Sequence, residues 1–323
     1  KVYEQVDGCM EKDGGPVIGI QIENEYGHVG GLQGPEGEAH IRTLTAIAKE
    51  IGFDVPLYTA TGWGGACIGD LLPVMGGYCE APWDQRTCEI EPNANFVFSH
   101  TRNDALIACD HHVENANSYN EEDFPFLTAE LGGGLQVTMH RRPVAKGCDV
   151  GAMSTVKMGS GAGLLGYYMY HGGSNPKGKL STLQESRATG YLNDLPEINY
   201  DFNAPIRQYG TISDSYREIK LLALFLNDFG EDMASLRSEI PTIRILPGDM
   251  HTVRTACRHD ADHGYVFFNN YQRRWKMDDH PQVKLEGLLD GKASVGFPAF
   301  DLKGGMYGFF PYNMKLNDAV LQT

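Results

Sequence analysis

The feature that most constrains the fold is an alternation of short apolar runs with helical stretches over the first two-thirds of the 323 residues. Residues 16–25 read as a strand: Val17, Ile18, Ile20 and Ile22 are β-branched, and Gly14-Gly15-Pro16 punctuates the start. Ile41, Leu44, Ile47, Ala48 and Ile51 then recur at helical spacing, with Gly52 where a C-terminal cap belongs. Strands follow at 55–59 and 72–78, and apolar runs at 124–130 and 164–170 end in polar or Gly-rich turns. Ser215-x-x-Glu218 is a capping box expected to open a helix through Phe229, with Ile219, Leu222, Ala223 and Leu226 on one stripe and Gly230 after it. This rhythm predicts an α/β fold with a parallel sheet covered by helices. Its strands suit strands 4–8 of a (β/α)₈ TIM-type barrel, so the expectation is a partial barrel, with the first three strands outside the chain.

After about residue 236 the pattern changes. Val253, Thr255 and Cys257 alternate with polar neighbours, 265–269 is a short aromatic run, and Gly304-Gly305 separates apolar segments at 297–302 and 306–310. Short strands with Gly and Pro turns predict a partial all-β sandwich. The expected division is residues 1–235 for the barrel part and 236–323 for the β module, with further chain expected beyond Thr323.

Composition narrows the function. Hydrophobic residues at 41% suffice for a core, and no apolar run reaches the ~18 residues of a membrane span. Against 42 Asp and Glu stand 27 Lys and Arg, a net charge of −15. No basic stripe is present, which argues against a nucleic-acid partner and suits an uncharged substrate. The 7 cysteines are scattered without a Cys-x-x-Cys pair, so neither a disulfide scaffold nor a structural zinc site is expected. The chain starts at Lys1, so a leader would lie outside it, and neither compartment nor oligomeric state is legible.

Two acids close predicted strands: Glu25 after Gln21 and Glu23, and Glu130 after Phe126 and Thr128, with period-2 alternation expected to put each set on one side of its strand. In a parallel barrel the C-terminal strand ends share one face, and that face carries the active site. Two carboxylates meeting there are what glycoside hydrolysis requires, one protonating the leaving oxygen and one attacking the anomeric carbon. The alternative is that both are solvated acids at strand ends.

The segment Gly14-Gly15-Pro16-Val17-Ile18-Gly19-Ile20-Gln21-Ile22-Glu23-Asn24-Glu25-Tyr26-Gly27 resembles the acid/base region of glycoside hydrolase family 35, the retaining β-galactosidases. Leu127-Thr128-Ala129-Glu130 resembles its nucleophile segment, Tyr168-Met169-Tyr170-His171-Gly172-Gly173-Ser174-Asn175 its eighth-strand signature, and Asn199-Tyr200-Asp201-Phe202-Asn203-Ala204-Pro205-Ile206 the loop that follows. The resemblance covers residues 14–230 and extends to the β module. It implies Glu25 as general acid/base, Glu130 as nucleophile and Asn24 on the sugar 2-OH; Tyr26, Trp63, Tyr200 and Phe202 are the further candidates for substrate binding. It implies hydrolysis of terminal β-D-galactosyl residues of an oligosaccharide or glycoconjugate, with no cofactor and no metal. Other readings are a different specificity such as exo-β-glucosaminidase, or an inactive fragment or pseudoenzyme that at most binds carbohydrate. Two positions depart from the family: Phe202 stands where a Tyr is usual, and Leu131-Gly132-Gly133-Gly134-Leu135 where aromatic residues are common.

Trp63 and Trp83 follow predicted strands and could stack on a sugar face or pack within loops. Cys109-Asp110-His111-His112 lacks a further ligand at metal spacing and reads as a solvated loop. His140-Arg141-Arg142-Pro143 is a basic patch expected to pair with local acids. His171 reads as supporting the pocket by a hydrogen bond, and Lys177-Gly178-Lys179 as a solvated turn.

Overall fold

In the computed structural model, residues 1–28, 30–62, 65–81, 84, 86–87, 90–102, 119–135, 141–180 and 198–321 are described. After the short helix α1 (Val2–Val6), the chain folds back before the sheet begins. The Val17 N–H donates to Cys9 O at 3.0 Å, and the Val17 carbonyl accepts from Glu11 N at 2.9 Å. That backbone is committed and Pro16 has no N–H, so β1 (Ile20–Asn24) starts later than the β-branched run suggests.

Helix α2 (Gly34–Glu50) has Pro35 in its first turn and stops before Gly52, whose φ of +108° follows the expected glycine cap. Ile41 and Ala48 are buried against Met10, Phe53, Leu57 and Leu71. Ile47 and Ile51 are 47% and 48% exposed, so the buried stripe is narrower than their spacing predicts.

Strands β2 (Leu57–Gly62), β3 (Leu72–Tyr78) and β4 (Thr128–Gly132) complete a parallel sheet of order β1-β2-β3-β4. Strand β3 has the predicted bounds. The 124–130 run shifts: Phe124 closes a 3₁₀ turn at Glu121–Asp123, pairing with β3 begins only at Thr128, and Glu130 lies inside the strand rather than at its end. The expected strand at 164–170 is two isolated parallel bridges to β4, Leu127 with Leu164 and Leu131 with Tyr167. Between them the backbone bonds Thr128 N to Leu164 O at 3.1 Å and Gly166 N to Thr128 O at 3.0 Å remain, and the Thr128 hydroxyl adds to them, donating to Leu164 O at 3.0 Å and accepting from Gly166 N at 3.1 Å. Two residues each of β5 (Gly173–Ser174) and β6 (Asn199–Tyr200) pair antiparallel beyond.

Helix α3 (Gly147–Gly159) has no counterpart in the sequence reading. Nearly every residue in it is buried, and a helix buried all round shows no apolar stripe. Helix α4 (Asp214–Ser235) departs from the capping-box expectation. Its N-cap is Ser213, whose hydroxyl turns to the carbonyls of Ala204 and Pro205, while Glu218 accepts from Tyr307 OH at 2.9 Å. Gly230 lies inside the helix, which continues until Met233 is seated in the core.

The remainder is antiparallel. Strands β7 (Arg237–Glu239), β8 (Arg254–His259) and β9 (Gly264–Asn269) are followed by β10 (His280–Val283), β11 (Glu286–Leu289), β12 (Lys292–Gly296) and β13 (Phe300–Leu302). The last are β14 (Tyr307–Tyr312), β15 (Met314–Leu316) and β16 (Ala319–Leu321). The main sheet is ordered β14-β9-β8-β7, with β10-β13, β11-β12 and β15-β16 as separate pairs. Ala256, Tyr265 and Phe267 pack on Val156, Met158 and Met233 of α3 and α4. Their alternates Cys257, Val266 and Phe268 pack on Leu285, Phe297 and Leu302. One core therefore joins the helices of the first part to the sheet of the second.

Candidate active site

The two candidate acids reach the sheet by irregular backbone. Opposite β2, Gln21 pairs with Tyr58 but Asn24 with Ala60, a slip of one residue. Within and just after the slip, Glu23 and Glu25 have φ of +59° and +50°. Each such left-handed non-glycine residue costs about 1–2 kcal/mol, a strain found where function demands a special direction. The expected alternation of Gln21, Glu23 and Glu25 therefore fails: Gln21, Glu23 and Asn24 are exposed and Glu25 is half-buried, its N–H bonded to Ala60 O at 2.8 Å. A second slip lies between Thr128 and Glu130 where β4 meets β3. Phe126 and Thr128 are buried while Glu130 is half-buried, so that alternation fails as well.

Tyr78, at the end of β3 and 1% exposed, donates its hydroxyl to Glu130 Oε2 at 3.0 Å. The hydroxyls of Tyr168 and Tyr200 share a hydrogen bond of 2.8 Å. Phe202 fills the space between these rings, stacked on Tyr200 at 5.4 Å and edge-on to Tyr168 at 5.1 Å and Tyr78 at 5.6 Å between centroids. The result is an aromatic wall with one carboxylate bonded into it.

Burial pushes the Glu130 carboxyl above the ordinary carboxylate range, and the Tyr78 hydrogen bond acts in the opposite sense. Burial and then the charge of Glu130 push the Tyr78 hydroxyl well up, with Glu25 adding to the rise. Burial and then Tyr200 raise Tyr168, and Glu130 and Glu25 again contribute. The charges of both acids thus bear on the same two hydroxyls, although Glu25 follows β1 and Glu130 lies in β4, at opposite edges of the four-stranded sheet.

Of the residues named from sequence, Glu130, Tyr200 and Phe202 gather around Tyr78 and Tyr168, and the charge of Glu25 bears on both hydroxyls. Asn24 is exposed and its carboxamide oxygen accepts from Gln21 Nε2 at 3.1 Å. Tyr26 turns away to stack on His40 of α2 at 4.6 Å and 17°. Trp63, Trp83, the 109–112 cluster and His140 lie outside the described residues. His171 is exposed, its Nδ1 2.5 Å from Gly172 O, and does not join the wall. Arg141 pairs with the buried Glu80 at 2.6 Å, as expected for its patch, and Lys177 and Lys179 are exposed.

Tyr78 and Tyr168 were not singled out by sequence reasoning. Tyr168 sits in the eighth-strand motif, and Tyr78 is the polar-tipped residue ending an apolar run; neither signal names a partner. Among the described residues no group of three or more His, Cys, Asp and Glu could hold a metal ion, and no helix is long and apolar enough to cross a membrane.

Residues 1–225 match the sequence model described as Glycosyl hydrolases family 35. The chain is 27% identical over 208 residues to Beta-galactosidase 6 of Oryza sativa subsp. japonica, covering 64% of this chain and 18% of that protein. It is 27% identical over 214 residues to Beta-galactosidase 17 of Arabidopsis thaliana, covering 64% and 26%. With Beta-galactosidase 10 of Arabidopsis thaliana the identity is 25% over 197 residues, covering 61% and 20%. The matched part thus spans between about a fifth and a quarter of these relatives.

Proposed function

The chain belongs to glycosyl hydrolase family 35, and on that premise we propose that it carries the two catalytic acids of a retaining β-galactoside hydrolase. Glu130 attacks the anomeric carbon and forms a glycosyl ester while Glu25 gives its proton to the departing oxygen. Glu25 then takes a proton from the water that cleaves the ester. The observation that carries this reading is Glu130 held by the Tyr78 hydroxyl against the aromatic wall of Tyr168, Tyr200 and Phe202, within the segment that matches the family. The Tyr78 donor favours the ionised form that a nucleophile needs, and retention calls for carboxyl groups about 5–5.5 Å apart.

Strands β1 to β4 are neighbours in sequence order, and the segment from Leu164 bridges β4 next, an order that supports reading them as consecutive barrel strands. Residues 236–323 then read as the accessory β module. Tyr200 and Phe202 form a wall for one face of the sugar, and Asn24 is assigned to a sugar hydroxyl. The substrate class is a terminal β-D-galactosyl residue of an oligosaccharide or glycoconjugate, and two carboxylates with water complete the chemistry.

The test is azide trapping with an activated aryl β-galactoside. Glu25→Ala keeps the first step for good leaving groups and yields a β-galactosyl azide, whereas Glu130→Gln forms no glycosyl intermediate. A retained-configuration azide product from the Glu130 variant would exchange the roles.

A further inference from the structure

The turn after β9, residues 269–273, is polar and yet buried: Asn269 and Asn270 are 0% exposed, Gln272 1% and Arg273 8%. Asn270 bonds within the antiparallel half, to Asp278 O at 2.8 Å, and the side chains of Asn269, Gln272 and Arg273 reach the parallel half. Gln272 Nε2 donates to Asn93 O at 3.0 Å, Asn93 Nδ2 donates to Tyr78 O at 3.0 Å, and Tyr78 OH donates to Glu130 Oε2 at 3.0 Å. Asn95 Nδ2 holds the same Tyr78 carbonyl at 3.0 Å. Two residues beyond Tyr78, Glu80 accepts from Arg273 Nε at 2.9 Å, and Arg273 also donates to Val144 O and the Asp149 carboxylate. Arg254 Nη1 holds the Gln272 carbonyl oxygen at 2.8 Å, which fixes which end of the amide faces Asn93.

We propose that this turn is a positioning element of the active site, with Gln272 acting through Asn93 to hold Tyr78 where its hydroxyl orients Glu130. The inference rests on the reading of Glu130 as nucleophile. The β module then does more than cover the helices, because it sets a hydrogen bond 142 positions away in the chain (272 − 130). Rings at strand ends move with their backbone, and catalytic geometry tolerates little displacement. Gln272 is therefore a positioning residue, and Tyr78 is the group through which it acts.

The test uses the whole chain labelled with δ-¹³C glutamate, taking as Glu130 the resonance lost in Glu130→Gln. Tyr78→Phe removes the donor and moves the Glu130 titration upward, because that bond favours the charged carboxylate. Gln272→Met is uncharged and close in volume; it moves the titration upward by a smaller amount. In the double variant Gln272→Met, Tyr78→Phe the titration equals that of Tyr78→Phe alone, since both act on one path. Asn93→Leu cuts the same path one bond nearer and gives the same pattern, which covers a Gln272 variant that does not fold. A lowered melting temperature with an unmoved Glu130 titration in both variants overturns the proposal. So does a shift fully additive with that of Tyr78→Phe, or an unmoved titration in Tyr78→Phe itself. The nucleophile assignment stands or falls separately on the azide products.

Discussion

In the antiparallel half, β9 buries every residue from Gly264 to Asn269, with alternate side chains in two different cores. In the parallel half, β1 leaves Gln21, Glu23 and Asn24 exposed and bends through two left-handed residues at Glu23 and Glu25. Two further left-handed residues are Phe202, within the aromatic wall, and Asn203, next to it in the chain. One strand is organised for packing, the other for presenting acids. Left-handed non-glycine residues also occur in the antiparallel half, at Arg274, Gln282, Asp290, Asn313 and Asn317, so what sets the β1 segment apart is that they fall at the candidate acids. Between the halves, Arg258 is 2% exposed and donates to the carbonyls of Met158 and Ala162 near the end of α3 and of Ala234 and Leu236 near the end of α4. Cations at helix C-termini meet the negative end of the helix dipole, which suits a buried guanidinium there.

The largest test of this contrast removes packing. Phe267 is fully buried against Phe98 and Phe309, so Phe267→Ala costs about 3–5 kcal/mol of unfolding free energy, read from urea denaturation. A loss below about 1 kcal/mol would mean that the shared core is not what holds the halves together.

A smaller effect is expected at the site and depends on pH. Burial raises Glu130 above its usual 4.5, so the folded chain holds a proton there that the unfolded chain releases. Stability tied to protonated Glu130 is complete below about pH 4.5 and is lost as pH rises through the folded value. Glu130→Gln stays neutral and keeps it. Melting curves of the two proteins should coincide near pH 4 and separate in favour of the variant near pH 7. A constant difference across that range would show that Glu130 ionisation carries no cost.

The smallest effect concerns backbone strain. Glycine adopts positive φ freely, so Glu23→Gly should stabilise by about 1 kcal/mol despite the loss of a strand side chain. Thermal unfolding of the exposed Glu23 variant measures this, and destabilisation would show that the slip in β1 is not strained.

How much of this was legible beforehand differs element by element. The bounds of β3, the glycine stop of α2 and the exposed Lys177 turn follow from patterns spanning a few residues, and such patterns are set by local sterics and amphipathicity. The motif order around Glu25, Glu130 and Tyr200 sufficed to identify the family, because each motif is contiguous. Helix α3 was invisible because burial on all sides erases periodicity. The slip that redirects Glu25 was invisible because it is a property of two paired strands, with Ala60 supplying the partner. Ser213 displaced the expected cap because the carbonyls of Ala204 and Pro205 compete for its hydroxyl, and Tyr307 draws Glu218 away.

By itself, then, the sequence determined which residue types occur in which local conformations, and through its motifs the family. Only the tertiary structure decided that Tyr78 bonds Glu130 across 52 positions, that Tyr26 faces α2 instead of the aromatic wall, and that Gln272 reaches Asn93. Local conformation depends on neighbours along the chain. Contacts between distant residues depend on the path of the whole backbone, and their energies arise only once burial removes water from both partners.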